Sequence, residues 1–244
     1  MRLKHVLQMA MSPRYVRDLR TFREQARAAG QALPKFSYRP MLKDATAETD
    51  FDRHYVYHTA WATRVLARSK PAKHVDVGSS LYFVALASAM LPVEHLDYRP
   101  PELRIDGVTA RAGDLMQLPF ADRSVASLSC MHVVEHVGLG RYGDPVDPAG
   151  DAKAVAELQR VLAPGGQLLF VVPVGKPQIV FNAHRIYPFD WAVSRFAELE
   201  LVEFALITDK KNGGELIVGA DPKRVAEQRY GCGCYLFKRP ARTL

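Results

Sequence analysis

From Lys73 to Arg239 short apolar runs alternate with helical stretches, and several of the runs are apolar without a break. A strand with one wet face alternates polar and apolar residues, whereas an unbroken run has to be buried on both faces. The pattern predicts the α/β class: a mainly parallel sheet with helices on both sides. Seven strands are expected: HVDVG (74–78), VEHLDY (93–98), GVTARAGD (107–114), SVASLSCM (124–131), QLLFVVPV (167–174), ELVEFALIT (200–208) and CGCYLFKR (232–239). Helices are expected over 81–91, 151–162 and 189–199, the second with Val155, Leu158 and Leu162 on one side. Pro164-Gly165-Gly166 reads as a sharp turn into the fifth strand.

Ahead of this pattern the composition shifts. Residues 1–43 hold ten Lys/Arg and only two acids, more than the whole +7 of the chain, so the remainder is close to neutral. The basic character belongs to an arm, residues 1–50, and the domain over 51–244 lacks the positive cleft of a nucleic-acid enzyme. Within the arm Tyr15, Leu19, Phe22 and Ala26 share one face of a helix over 13–29. Such a helix suits peripheral contact with an anionic membrane face, or packing on the domain or on a second copy; both readings stand. A second helix is expected over 52–69.

No stretch approaches the ~18 apolar residues of a membrane span. The N-terminus lacks the long apolar region and cleavage site of a signal peptide. Three cysteines, Cys130, Cys232 and Cys234, in a chain long enough to have a core fit a reducing, cytoplasmic setting. Cys232-Gly-Cys234 supplies two of the four ligands of a structural zinc, so buried thiols are expected there.

In an open α/β sheet a ligand sits beyond the carboxyl ends of the strands, where the strand order reverses. The residues closing the strands are therefore read together. The first strand closes in Asp76-Val77-Gly78-Ser79-Ser80; glycine permits a tight turn close to a ligand, and the helix N-terminus beyond it favours a carboxylate. The second closes in Asp97, placed to accept from two ribose hydroxyls. The third closes in Gly113-Asp114-Leu115, where the acid can accept from an adenine amino group. The absence of G-x-G-x-x-G counts against a nicotinamide dehydrogenase.

DVGSS, LDYRP, GDLMQLPFADRSVASLSC and LAPGG, in this order, resemble the motif series of class I S-adenosyl-L-methionine-dependent methyltransferases. HYVYHTAW, HVVEHVGLGRYGDP, FNAHR and YGCGCYLFKR are similar to pieces of a bacterial methyltransferase-like family of unknown function, associated with surface-polysaccharide biosynthesis. The resemblance runs from about Asp52 to Arg239 and leaves out the arm. It implies a Rossmann-like sheet of seven strands with the last antiparallel. It also implies S-adenosyl-L-methionine held by Asp76, Gly78, Ser79, Ser80, Asp97, Asp114 and Leu115, and a small-molecule or sugar hydroxyl as methyl acceptor. One departure stands out: most such enzymes carry G-x-G-x-G after the first strand, and here one glycine precedes two serines. Either the serine hydroxyls serve the methionine carboxylate, or the pocket is partly filled and the cofactor is held weakly.

Catalytic groups are expected after the fourth strand. His132, Glu135 and His136 lie there, followed by a lid-like loop over 138–151 and, later, by His184 in FNAHR. A metal-free base oriented by Glu135 is the favoured reading. A divalent ion on His132, Glu135, His136 and His184 is the second, and plain packing the third. Tyr55, Tyr57, His58 and Trp61 either roof the cofactor pocket or form the packed face of their helix. Arg99 and Arg141 suit an acidic acceptor. A different function class, a non-catalytic scaffold on the same fold, is separated from the enzyme by cofactor binding.

Overall fold

The computed structural model describes residues 12–241; residues 1–11, part of the stretch read as lacking a leader, lie outside them. Contacts divide the chain after Phe51 into two units. In the first, helix α1 (Pro13–Ala28) starts on Ser12, whose Oγ accepts from Tyr15 N at 3.3 Å, with Pro13 in the first turn where its missing N–H costs nothing. Phe22, expected on the packed face, is half exposed and meets Phe36 edge-on at 6.2 Å. No helix among the described residues is long and apolar enough to cross a membrane.

The second unit holds α2 (Arg53–Ser69), β1 (His74–Val77), α3 (Leu81–Ser88), β2 (Val93–Asp97), β3 (Val108–Ala112), β4 (Val125–Met131), α4 (Gly150–Val161), β5 (Leu162–Val174), β6 (Gln178–Val180), β7 (His184–Ile186), α5 (Phe189–Arg195), β8 (Glu200–Ile207), β9 (Leu216–Val218) and β10 (Gly231–Lys238). The main sheet runs β3-β2-β1-β4-β5-β10-β8-β9, with β10 antiparallel to both of its neighbours. This is the class I methyltransferase fold, with eight strands where seven were expected. The extra one, β9, is three residues long and pairs antiparallel with β8, too short to show a period in the sequence. The hairpin β6–β7 escapes the sequence for the same reason. Pro164-Gly165-Gly166 is not a turn ahead of β5 but part of it: the strand starts at Leu162, and a register shift opposite Val125/Ser127 absorbs the irregular residues.

The unbroken apolar run of β5 feeds two cores. Leu168, Phe170 and Val172 pack with Val155 and Leu158 of α4, while Leu169 and Val171 pack with Trp61 and Leu66 of α2 and Phe83 of α3. Between the strands runs a line of buried polar groups. The Ser129 hydroxyl donates to Asp76, so it must accept from His74 Nε2 at 2.9 Å; His74 Nδ1 then accepts from Ser127 at 2.8 Å, and Ser127 accepts from Gln167 at 3.0 Å. Each member is satisfied with His74 neutral, and burial lowers the His74 pKa to about 4.

Candidate functional site

β1 leads out to β2 and β3 on one side, and β4 and β5 lie on the other, so the strand order reverses between β1 and β4. A cavity opens at the carboxyl ends of these strands. Gly78, at φ 68, floors it against Val133: a Cβ on Gly78 would stand 3.1 Å from that side chain. Asp97, Asp114 and Leu115 line it, with Tyr98, Arg99 and Met116. Asp97 Oδ1 accepts from Arg99 N at 2.7 Å and Asp114 Oδ1 from Met116 N at 2.8 Å, turns that fix both carboxylates at the strand ends.

Three expected cofactor contacts lie elsewhere. Asp76 is wholly buried and accepts from His95 Nδ1 at 2.8 Å, from Ser79 N at 3.2 Å and from the Ser129 hydroxyl. It is a strut under the loop rather than a lining residue. Ser79 is buried, its Oγ accepting from Met131 N at 3.1 Å. Ser80 caps α3, its Oγ accepting from Tyr82 N at 3.3 Å. Neither serine lines the cavity. Nor do Tyr55, Tyr57, His58 and Trp61 roof it: Trp61 packs in the core and donates to Glu203 at 2.7 Å, and Tyr55 lines a different cavity.

That second cavity is bounded by Asp52, His54, Tyr55, Glu135, Arg141 and Tyr230, and it shares two residues with the first, His132 and His136. His132 sits at φ 58, an unusual conformation for a residue with a Cβ, directly after β4. Its Nδ1 is 2.7 Å from Glu135 Oε1. Burial pushes the Glu135 carboxyl up, but His132 beside it holds it below its ordinary value, so it is the acceptor of this bond. His136 Nδ1 is 2.6 Å from the Ala183 carbonyl, a contact that requires the proton on Nδ1 and leaves Nε2 as the lone-pair nitrogen. Arg141 donates to the same carbonyl at 3.1 Å. Burial lowers the His136 pKa against the pull of Glu135, which favours the neutral ring.

Of the four residues expected to converge, His132, Glu135 and His136 meet as one wall. His136 Nε2 is 3.8 Å from Glu135 Oε1. His184 reaches only its edge, with its ring 5.0 Å from Tyr230. The four do not form one ligand set.

The loop after Val137 covers the first cavity. Tyr142 lines it with Asp144, and the guanidinium groups of Arg99 and Arg141 lie over the Tyr142 ring at 4.7 and 5.1 Å. Asp147 N donates to Gly138 O at 2.9 Å, and Asp144 Oδ2 accepts from Gly138 N at 2.8 Å. Arg185 and Tyr187, which the sequence did not single out, brace the loop from beneath. Arg185 donates to Val137 O at 2.7 Å, and Tyr187 donates to Asp151 at 3.1 Å. Gly138 stands at φ 76, and a Cβ there would collide with the Asp147 carbonyl. Gly138→Ala should therefore unseat the loop at a cost of about 1–3 kcal/mol. The expected readout is faster tryptic cleavage at Arg141 in the variant, with the wild type resistant; equal cleavage would show that the loop is not held at this point.

A family model described as "Caenorhabditis protein of unknown function, DUF268" matches residues 120–203, the span with β4, the histidine wall, the lid loop and Arg185. No curated protein matches the chain in sequence. Among solved structures, N-methyltransferase NodS from Bradyrhizobium japonicum in complex with S-adenosyl-L-homocysteine is 16% identical, covers 82% of this chain and 94% of its own, and has a TM-score of 0.53. YcgJ from Bacillus subtilis is 14% identical over 77% of this chain and 100% of its own, with a TM-score of 0.53. The [4+2]-cyclase SpnF is 15% identical over 75% and 82%, with a TM-score of 0.51. These likenesses carry the fold, and SpnF is a reminder that one fold hosts different reactions. None of them links the chain to surface polysaccharides.

Proposed function

We propose that the second unit is an S-adenosyl-L-methionine-dependent methyltransferase acting on a hydroxyl of a small molecule or sugar. The observation that carries this reading is the meeting of two cavities at His132 and His136. One has the strand-end carboxylates suited to a nucleoside, and the other is polar and aromatic. The complex of NodS, on the same fold, with S-adenosyl-L-homocysteine supports the choice of ligand.

The residues present fit that cofactor. Gly78 leaves room that a Cβ would fill, Asp97 is placed for ribose hydroxyls and Asp114 for an adenine amino group, and Leu115 and Val133 give apolar walls. When bound, the cofactor supplies a methyl group already activated on a sulfonium. What the chain must add is position and removal of a proton. His136 Nε2 is the group for the proton: its ring is fixed by Ala183, held toward the neutral form by burial, and present in both cavities. Tyr55 and Tyr230 offer flat faces to a sugar ring, and Arg141 and Lys210 would favour an acceptor with negative charge.

Loss of two charge-assisted bonds to ribose in Asp97→Ala should weaken binding by about 100-fold. Calorimetry with S-adenosyl-L-homocysteine on wild type and variant tests it. Absence of binding by the wild type at millimolar ligand would favour the scaffold reading. Equal affinity of the two proteins would remove Asp97 from the site.

A further inference from the structure

Behind the second cavity three side chains from distant parts of the chain come together. His54 comes from the first turn of α2, His132 from the residue after β4 and Cys232 from β10. One ring nitrogen of each histidine and Cys232 Sγ lie within 4.8 Å of one another. His132 Nε2 is 3.3 Å from the sulfur. With bonds of about 2.0 Å to an imidazole nitrogen and about 2.3 Å to a thiolate, two ligands of a tetrahedral ion stand roughly 3.5 Å apart. That pair is already at ligand spacing.

The surroundings are those of a metal site. His132 carries Glu135 on its other nitrogen at 2.7 Å, the carboxylate–histidine arrangement that orients a ligating ring and raises its basicity. His54 is stacked between His132 at 5.3 Å and Tyr230 at 5.0 Å, which fixes its plane. Orphaned buried polar atoms collect at the same point. Both ring nitrogens of His58, whose centroid is 5.2 Å from that of His132, and Glu135 Oε2 have no hydrogen-bond partner among the described residues. Uncompensated polar atoms of this kind are costly in a core and concentrate at functional sites.

A Cys232–His132–Glu135 relay would be another use of the same atoms, with the thiol as nucleophile. Cys232 is fully buried and lines neither cavity, so no substrate carbon can reach its sulfur. A bare ion needs less room, and His54 and His132 both face the second cavity through which it would enter.

We propose that His54, His132 and Cys232 bind a borderline-soft divalent ion of the zinc type, its remaining coordination positions turned toward the second cavity and available to an oxygen ligand. On binding, the Cys232 S–H proton leaves to solvent, the S–H···Nε2 contact is lost, and bonds from sulfur and from the two imidazole nitrogens to the ion replace it. The ligand set differs from His132, Glu135, His136 and His184, and it makes Cys232 a ligand rather than an inert buried thiol. It leaves His136 free as the base, and it stands whether or not the first cavity binds a nucleoside.

Cobalt reads the site directly. The full chain, stripped by chelator and titrated with Co²⁺, should take up one ion and show the intense thiolate-to-cobalt charge-transfer band in the near ultraviolet together with four-coordinate visible bands. Zn²⁺ should bleach both. Cys232→Ser should abolish the charge-transfer band, His54→Ala should weaken binding by about tenfold or more while keeping it, and Cys234→Ser should leave the spectrum unchanged. Wild-type protein that forms no complex at millimolar cobalt, or forms one without the thiolate band, overturns the proposal without reference to any variant. A band that survives Cys232→Ser and disappears in Cys234→Ser overturns the assignment of the sulfur.

Discussion

Replacing His136 with alanine is expected to lower turnover by about 10²- to 10⁴-fold, the span of a positioned general base, while changing affinity for S-adenosyl-L-homocysteine only slightly. The split follows from the geometry. His136 is one of two residues common to both cavities, but the strand-end carboxylates of the first cavity do not depend on it. Its Nδ1 proton is committed to Ala183, so Nε2, with Arg141 Nη1 3.5 Å away, is the nitrogen left for an acceptor. The kcat profile should rise with pH through the His136 value, which burial places below that of a free imidazole, and should be flat above it. Assay by S-adenosyl-L-homocysteine release, run across a panel of hydroxylated acceptors, checks both. Unchanged turnover in the variant would mean that proximity to the sulfonium suffices and that the histidine wall is structural. A fall in cofactor affinity equal to the fall in rate would mean that His136 shapes the first cavity instead.

Acidification of the metal-free chain from pH 7 to 5 should cost the fold roughly 2 kcal/mol for each of His74 and His54. Burial lowers both to about 4, with neighbouring His132 adding to the shift at His54. The sign is that of a base whose folded value lies below its unfolded one near 6.5. The unfolded chain takes up protons first, so stability is present above pH 6.5 and is lost as the pH falls toward 4. His95 works in the other direction. Burial opposes its charge, but Asp76 at 2.8 Å wins and raises it, so its contribution is complete below about 6.5 and is lost as the pH rises through the folded value. It therefore offers nothing against acid below 6.5. The two losses together correspond to a drop of about 10 °C in Tm for a chain of this size. His74→Gln should remove the His74 share of that slope and leave the rest to His54 and to His58, which burial also holds well below an ordinary imidazole. A Tm that stays level from pH 7 to 5 would mean that the polar line through Ser127, Ser129 and Asp76 accommodates a charged His74.

The fold was legible because unbroken apolar runs and helical periods are local signals. The two pieces that escaped, β9 and the β6–β7 hairpin, are three-residue strands in which no period can be counted. Asp97 and Asp114 could be read as neighbours from the sequence because each follows a parallel strand to the same end of the sheet, and both line the first cavity. The burial of Asp76 was not legible, because its position along β1 says nothing about what its side chain will meet. It turns inward to His95, and only the fold brings that residue beside it. His54 and Cys232 were invisible as a pair with His132 for the same reason, since no spacing rule connects α2, the end of β4 and β10. His132 and His136 were legible through the motif after β4, but their division into one residue bonded to Glu135 and one bonded to Ala183 is a matter of backbone direction alone.

The central claim, that one cavity presents a methyl donor to the other across the histidine wall, is tested most directly by a crystal structure with S-adenosyl-L-homocysteine. The account predicts ligand density between Asp97 and Asp114, with the sulfur directed toward His132 and His136. Density elsewhere, a sulfur turned away from the second cavity, or no density from crystals grown in saturating ligand would contradict it.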